Sequence, residues 1–246
     1  MSFGFDGAVR AVVTGARGGV GEALVRRILD GRPDSHVWVV SREPGWVPAN
    51  VDLGRVTPVT ADLTRDEDVA ALAEAVDAPN LVIGAHGLLH RGDHGPERTW
   101  RHIDAAWMAE VFAVDAIAAG LLIKHLIPVL PRKARSVFAM LSARVGSIGD
   151  NRLGGWYSYR AAKAAQNMLV KTASIEAGRR AKQLICLSLH PGTVDTALSS
   201  PFSARVPPEK LFTPEFSAER LEEVITGRTP TDSGGFFAWD GQPVVW

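Results

Sequence analysis

Val12-Val13-Thr14-Gly15-Ala16-Arg17-Gly18-Gly19-Val20-Gly21-Glu22-Ala23-Leu24 sets a glycine-rich turn between an apolar, β-branched run and an amphipathic helical pattern. Residues without Cβ let a backbone adopt conformations and approach a ligand in ways that other residues block. The first turn of a helix presents N–H groups that have no partner within the helix, and these suit a phosphate. Read as strand, turn and helix, the segment is a nucleotide turn. Gly15, Arg17, Gly18, Gly19, Val20 and Gly21 are its candidate binding residues.

Outward from this turn, apolar runs at residues 8–14, 36–40, 56–60, 81–84, 136–141, 184–189 and 235–239 read as strands. They are continuously apolar, as expected for a parallel sheet covered by helices on both faces. Helical patterns fall between them at 20–30, 66–76, 105–130, 156–179 and 218–225. The expected fold is α/β: a Rossmann-type doubly wound parallel sheet of about seven strands flanked by helices, in a single domain over residues 1–246. Prolines 201, 207, 208 and 214 suppress regular structure in the stretch before the last helix, so a mobile substrate loop is expected near 197–214.

Lys plus Arg number 27 and so do Asp plus Glu, giving a formal net charge of zero. That balance argues against a nucleic acid or an anionic membrane as partner and favours a small molecule. Cys186 is the only cysteine, has no partner for an intramolecular disulfide, and reads as a buried strand thiol. No secretion signal precedes the glycine turn. The apolar segment 116–130 is interrupted by Lys124, His125 and Pro128, which makes a membrane span unexpected and a cytoplasmic protein the expectation.

The second strand ends Val39-Val40-Ser41-Arg42, where an NAD enzyme places an acid on the ribose hydroxyls. Ser41 and Arg42, helped by Arg17, instead offer charge-assisted hydrogen bonds to the 2′-phosphate of NADP. Farther on, Tyr159-Arg160-Ala161-Ala162-Lys163 places a phenol and an ammonium four residues apart, on one helix face. A tyrosine of pKa near ~10 is a poor proton carrier at neutral pH, and a neighbouring ammonium is expected to lower that value.

In order along the chain, Thr14 to Gly21, Asp62, Tyr159 to Lys163, and His190-Pro191-Gly192-Thr193-Val194-Asp195-Thr196 resemble a short-chain dehydrogenase/reductase over essentially the whole length. Residues 146–160 and Lys210-Leu211-Phe212-Thr213-Pro214 resemble the C-factor and sniffer-like carbonyl reductase branch. The resemblance implies Tyr159 as general acid, and Lys163 as the holder of the nicotinamide ribose that lowers the Tyr pKa. It also implies Asp62 with Leu63 at the adenine, Ala85 and Gly87 in the segment after the fourth strand, and Pro191, Gly192, Val194 and Thr196 along the nicotinamide.

Three positions depart from the pattern. Gly84-Ala85-His86-Gly87 stands where the family has Asn-Asn-Ala-Gly, Asp115 stands for a helix asparagine, and Ser142-Ala143 stands for Ser-Ser. The second serine of that pair usually holds the substrate carbonyl, so Ser142 is the candidate, with Ser147 as the alternative. The expected activity is NADP(H)-dependent hydride transfer between the cofactor and a carbonyl or alcohol. Ala143 and Asp115 keep open a cofactor-binding regulatory protein of weak or no turnover.

His86, His90, His94 and His102 lack metal-ligand spacing with Cys or acids, and no metal site is expected. Trp156 with Leu88, Leu153 and Phe202 would suit an apolar pocket, and core packing is an equal reading. Ser158 reads as a helix N-terminal residue. The helices 105–130 and 156–179 are apolar nearly all round, which points to a homodimer or homotetramer.

Overall fold

Seven parallel strands form one sheet: β1 (Arg10–Thr14), β2 (His36–Ser41), β3 (Val56–Thr60), β4 (Leu81–Gly84), β5 (Ser136–Leu141), β6 (Leu184–His190) and, last in the chain, β9 (Gly235–Ala238). A computed structural model describes residues 2–246 and places these strands in the order β3-β2-β1-β4-β5-β6-β9. Two short strands, β7 (Thr193–Val194) and β8 (Leu211–Phe212), pair with each other outside the sheet.

The continuous apolar runs follow from the period of two along a strand. Val13, Val37, Val39 and Ile83 face one side and pack against Leu24 and Ile28 of α1 (Gly19–Gly31) and Leu221 and Ile225 of α6 (Pro214–Thr226). Val12, Val40, Val82, Phe138 and Cys186 face the other side. There they meet Val69 and Leu72 of α2 (Asp66–Ala75), Leu122 and Leu126 of α4 (Ala118–Leu126), and Val170 of α5 (Tyr157–Ala177). Each such fully buried Leu or Ile contributes about 1.5–3 kcal/mol. Cys186 is the buried strand thiol the sequence suggested, and burial pushes it up to about 12.

Three helical expectations are corrected. Residues 105–130 do not form one regular helix: α3 (Ala105–Phe112) passes through a π turn at Ala113–Ile117 before α4, and a 3-10 turn at Ile127–Val129 carries Pro128. The π turn has a functional consequence, because it seats Asp115 with no solvent exposure. The same helix, taken as Ala105–Val129, is long and apolar enough to cross a membrane by length and composition, yet Leu122 and Leu126 pack into the core of this fold. The last helix begins at Pro214, not at 218, because Thr213 caps it by accepting the Phe216 N–H at 3.2 Å and proline is tolerated in the first turn. The proline-rich stretch is not without regular structure either: it holds 3-10 turns at Ser200–Arg205 and Pro208–Lys210, then β8.

Candidate active site

Every candidate segment lies at the C-terminal edge of the sheet, where the strand order reverses between β1 and β4. This is where a doubly wound sheet opens a crevice. The Ala85 N–H donates to the Thr14 carbonyl at 3.0 Å and closes the floor of that crevice. Gly15 has φ +66°, and a Cβ there would lie 2.6 Å from the His86 nitrogen. A Cβ on Gly21 would lie 2.2 Å from the Gly15 carbonyl, and one on Gly19 would lie 2.8 Å from Thr196 Cγ2. These glycines are required by the chain itself. Gly18 caps α1 without a side-chain bond, and Val20 packs against the core beneath.

At the end of β2 the structure adds a residue that the sequence reading passed over. Glu43, one position beyond Arg42, pairs with Arg17 at 2.8 Å, and Ser41 donates to the Glu43 carbonyl at 2.9 Å. An acid is therefore present near this strand end. The pair is half exposed on both sides, and such pairs are worth about 0–1 kcal/mol, so a phosphate can displace it. Arg42 is exposed. Asp62 accepts the Thr64 N–H at 3.0 Å and the Thr64 hydroxyl at 2.7 Å. These bonds hold its carboxyl below the usual range, with Arg42 and Arg65 adding to the effect. Leu63 packs against the core behind it. On the far wall the Ser217 hydroxyl donates to the Pro191 carbonyl at 2.9 Å, and Gly192 (φ +84°) leaves room for the Phe212 ring. Val194 is buried there, and the Thr196 N–H donates to Ser199 Oγ at 3.2 Å.

Tyr159 and Lys163 are both buried near the start of α5. The net shift of the phenol runs opposite to the lowering expected of a neighbouring ammonium. Burial pushes the Tyr159 phenol above its ordinary value, and the Asp115 carboxylate pushes the same way. The ammonium is engaged elsewhere, on Asp115 Oδ1 at 3.2 Å, the Leu141 carbonyl at 3.1 Å and Gln166 Oε1 at 3.0 Å. A Cβ on Gly87 would lie 3.1 Å from Asp115 Oδ1, so this glycine gives the carboxylate its place. His86 meets the Thr14 hydroxyl through Nδ1 at 2.8 Å, while its buried Nε2 has no partner. Burial, then Lys163, lowers its pKa to about 3, so the ring is neutral.

Ala143 packs into the apolar cluster that contains Tyr159, whereas the Ser142 hydroxyl is buried without a hydrogen-bond partner. Ser147 accepts the Asp150 N–H at 3.0 Å. Leu88, Trp156 and Phe202 join the Tyr159 cluster as an apolar wall, with Trp156 and Phe202 ring centres 5.2 Å apart. Leu153 does not join them, since it is 92% exposed. The Ser158 hydroxyl donates to Glu97, a buried carboxylate from the loop after β4 that also accepts the Ser158 N–H at 3.1 Å. The sequence reading missed Glu97, whose partner lies 61 residues away. Among the described residues no group of three or more His, Cys, Asp or Glu converges on a metal position.

A doubly wound sheet with a glycine turn at its switch point and a buried Tyr-Lys pair beside it defines a nucleotide-dependent oxidoreductase of the Rossmann type. The sequence model of the short chain dehydrogenase family matches residues 9–206, and the chain belongs to this family. It is an enzyme of that type, with C-signal among its relatives and carbonyl reductases among its structural neighbours. The C-signal of Myxococcus xanthus is 33% identical over 144 residues, 58% of this chain and 81% of that protein. The NADPH-bound carbonyl reductase from chicken fatty liver superposes with a TM-score of 0.84 at 25% identity, covering 97% of this chain and 99% of the other. The carbonyl reductase Sniffer of D. melanogaster has the same fold, with a TM-score of 0.83 at 20% identity over 98% and 100% of the two chains.

Proposed function

We propose that the chain is an NADP(H)-dependent reductase of small carbonyl compounds. The observation that carries this is the buried Tyr159 phenol, set among apolar side chains at the edge of the sheet where the glycine turn and the N-terminus of α1 also lie. The fit is local and chemical. The open N-terminus of α1 suits the pyrophosphate, Ser41, Arg42 and Arg17 suit the 2′-phosphate, and Asp62 with Leu63 suits the adenine. Ala85, Gly87, Pro191, Gly192, Val194 and Thr196 border the rest of the crevice. When bound, the reduced nicotinamide supplies the hydride that forms the new C–H bond. Tyr159 gives its proton to the carbonyl oxygen, which completes the alcohol and leaves a phenolate that solvent reprotonates. Trp156, Phe202 and Leu88 exclude water from that transfer.

NADPH binding and NADPH consumption measured side by side over a panel of carbonyl compounds test this reading, with Tyr159→Phe as the paired variant. Consumption in the unmodified protein should fall at least ~10²-fold in the variant while affinity for NADPH stays within about twofold. Binding without consumption would support instead the regulatory protein that Ala143 left open.

The protein acts as a dimer or tetramer in the cytoplasm. Support for self-association lies in Ile117 on the α3–α4 rod and Met168 and Ile175 on α5, which are 53%, 65% and 55% exposed. A mass of only 26.4 kDa by light scattering at micromolar concentration would refute it. The segment 197–214 serves as the mobile substrate loop, carrying Phe202 into the apolar wall.

A further inference from the structure

Lys163 has three N–H donors on a buried ammonium, and the protein offers three acceptors. These are Asp115 Oδ1 at 3.2 Å, the Leu141 carbonyl at 3.1 Å and Gln166 Oε1 at 3.0 Å. The same nitrogen lies 5.7 Å from the centre of the Tyr159 ring. Asp115 is carried to this place by the π turn, has no solvent exposure, and accepts the Leu88 N–H at 3.1 Å. Its second oxygen is buried with no hydrogen-bond partner. The carboxylate therefore sits directly on the ammonium that lies beside the Tyr159 ring, in a place that water does not screen.

We propose that Asp115 is a positioning residue that binds the charge of Lys163 and so keeps the Tyr159 phenol in its acid form, committing the centre to carbonyl reduction over alcohol oxidation. The direction of reaction follows from the chemistry. Reduction needs a phenol that can give a proton, and oxidation needs a phenolate that can take one. An unpaired ammonium beside Tyr159 would favour the phenolate, whereas an ammonium closed on a carboxylate presents almost no net charge.

The other groups around the phenol do not restore that charge. His86, from the end of β4, is neutral because burial lowers it to about 3. Arg144, on the turn after β5, is held at the surface by Asp150 at 3.2 Å. Glu97, from the loop after β4, brings no positive charge and is engaged by the Ser158 N–H at 3.1 Å. Burial and Asp115 both push the phenol up, while burial pushes Asp115 itself up against the pull of Lys163 and the Leu88 N–H.

This inference rests on the reductase reading for its meaning, but its test needs neither substrate nor cofactor. The chain has two tyrosines, Tyr157 and Tyr159, so labelling tyrosine Cζ with carbon-13 gives two NMR resonances to titrate. In the unmodified protein the Tyr159 resonance should stay at its phenol position after Tyr157 has ionised. Asp115→Asn keeps the shape and an acceptor for Leu88 while releasing Lys163. It should lower the Tyr159 midpoint by one pH unit or more, a tenfold gain in phenolate at a given pH. Adding Lys163→Met to that variant should reverse the drop. With activity as a second readout, the Asn variant should raise alcohol oxidation relative to carbonyl reduction at neutral pH. An unmodified Tyr159 that titrates before Tyr157, or a midpoint that Asp115→Asn leaves in place, overturns the proposal, and the first of these decides even if the variant fails to fold. If the titrations hold while no carbonyl is turned over, the reductase reading fails and this one stands.

Discussion

The two ends of the crevice are built by different means. At the glycine turn the arrangement is written in the backbone: Gly15, Gly19 and Gly21 each leave out a Cβ that would strike a neighbour, and the N–H groups of α1 are the binding groups proposed above. At the Tyr159 end, function is written in side chains that arrive from distant segments. Asp115 comes from a π turn, Glu97 from a loop and Ala143 from a strand end. The first end is fixed by sterics within a few residues and tolerates few alternatives. The second is fixed by a network of charges, where one substituted atom changes the chemistry without changing the fold.

The sharpest way to separate the two ends is to reverse the charge at the nucleotide end and leave the other untouched. Arg42→Asp should weaken NADPH binding about a hundredfold, the equivalent of about 3 kcal/mol, because a charge-assisted hydrogen bond is lost and a like charge replaces it. NADH should bind as well as before or better, since an acid at this strand end suits the ribose hydroxyls. Turnover at saturating cofactor should hold within about twofold. Calorimetry with both cofactors reads the first two outcomes. If NADPH and NADH weaken equally, Arg42 is only a surface cation and the preference resides in Arg17 or elsewhere.

The same contrast explains what the sequence disclosed. The strand, turn and helix around Gly15 to Gly21 were legible because the apolar period, the glycines and the helix start all lie within one short segment. The seven parallel strands followed from continuous apolar runs that only a sheet covered on both faces can use. Tyr159 and Lys163 were legible as a pair, but the net shift of the phenol was not. Four-residue spacing puts a cation and a phenol on one face and says nothing of Asp115, 48 positions before Lys163, which captures the cation. Glu43 was visible beside Arg42, yet only folding shows that it turns back onto Arg17. Glu97 had no local signal at all, because a buried carboxylate on a helix start is recognisable only once the loop after β4 has closed over it. Pro214 misled by the usual rule, since a proline that ends helices elsewhere begins this one.

Ala143 offers the smallest and most discriminating test of the substrate end. Its backbone is extended, with φ −141° and ψ 146°, so serine fits without strain, and its methyl already packs in the cluster around Tyr159. A hydroxyl there would point a donor toward the oxygen that gains charge as the carbonyl is reduced. Removing such a donor from a site organised around it costs about 10²–10³-fold in turnover. Adding one where no neighbour has been arranged to aim it should return less, and Ala143→Ser is expected to raise kcat for a simple aromatic aldehyde about tenfold with little change in KM. The split between kcat and KM matters, because a group that acts only as charge develops raises the rate without tightening substrate binding. A lower KM with kcat unchanged would mean that the hydroxyl binds ground state and transition state alike. No gain at all would return the donor role to Ser142, whose buried hydroxyl still lacks a partner, or to Ser147, whose oxygen already accepts the Asp150 N–H but whose hydrogen remains free to donate.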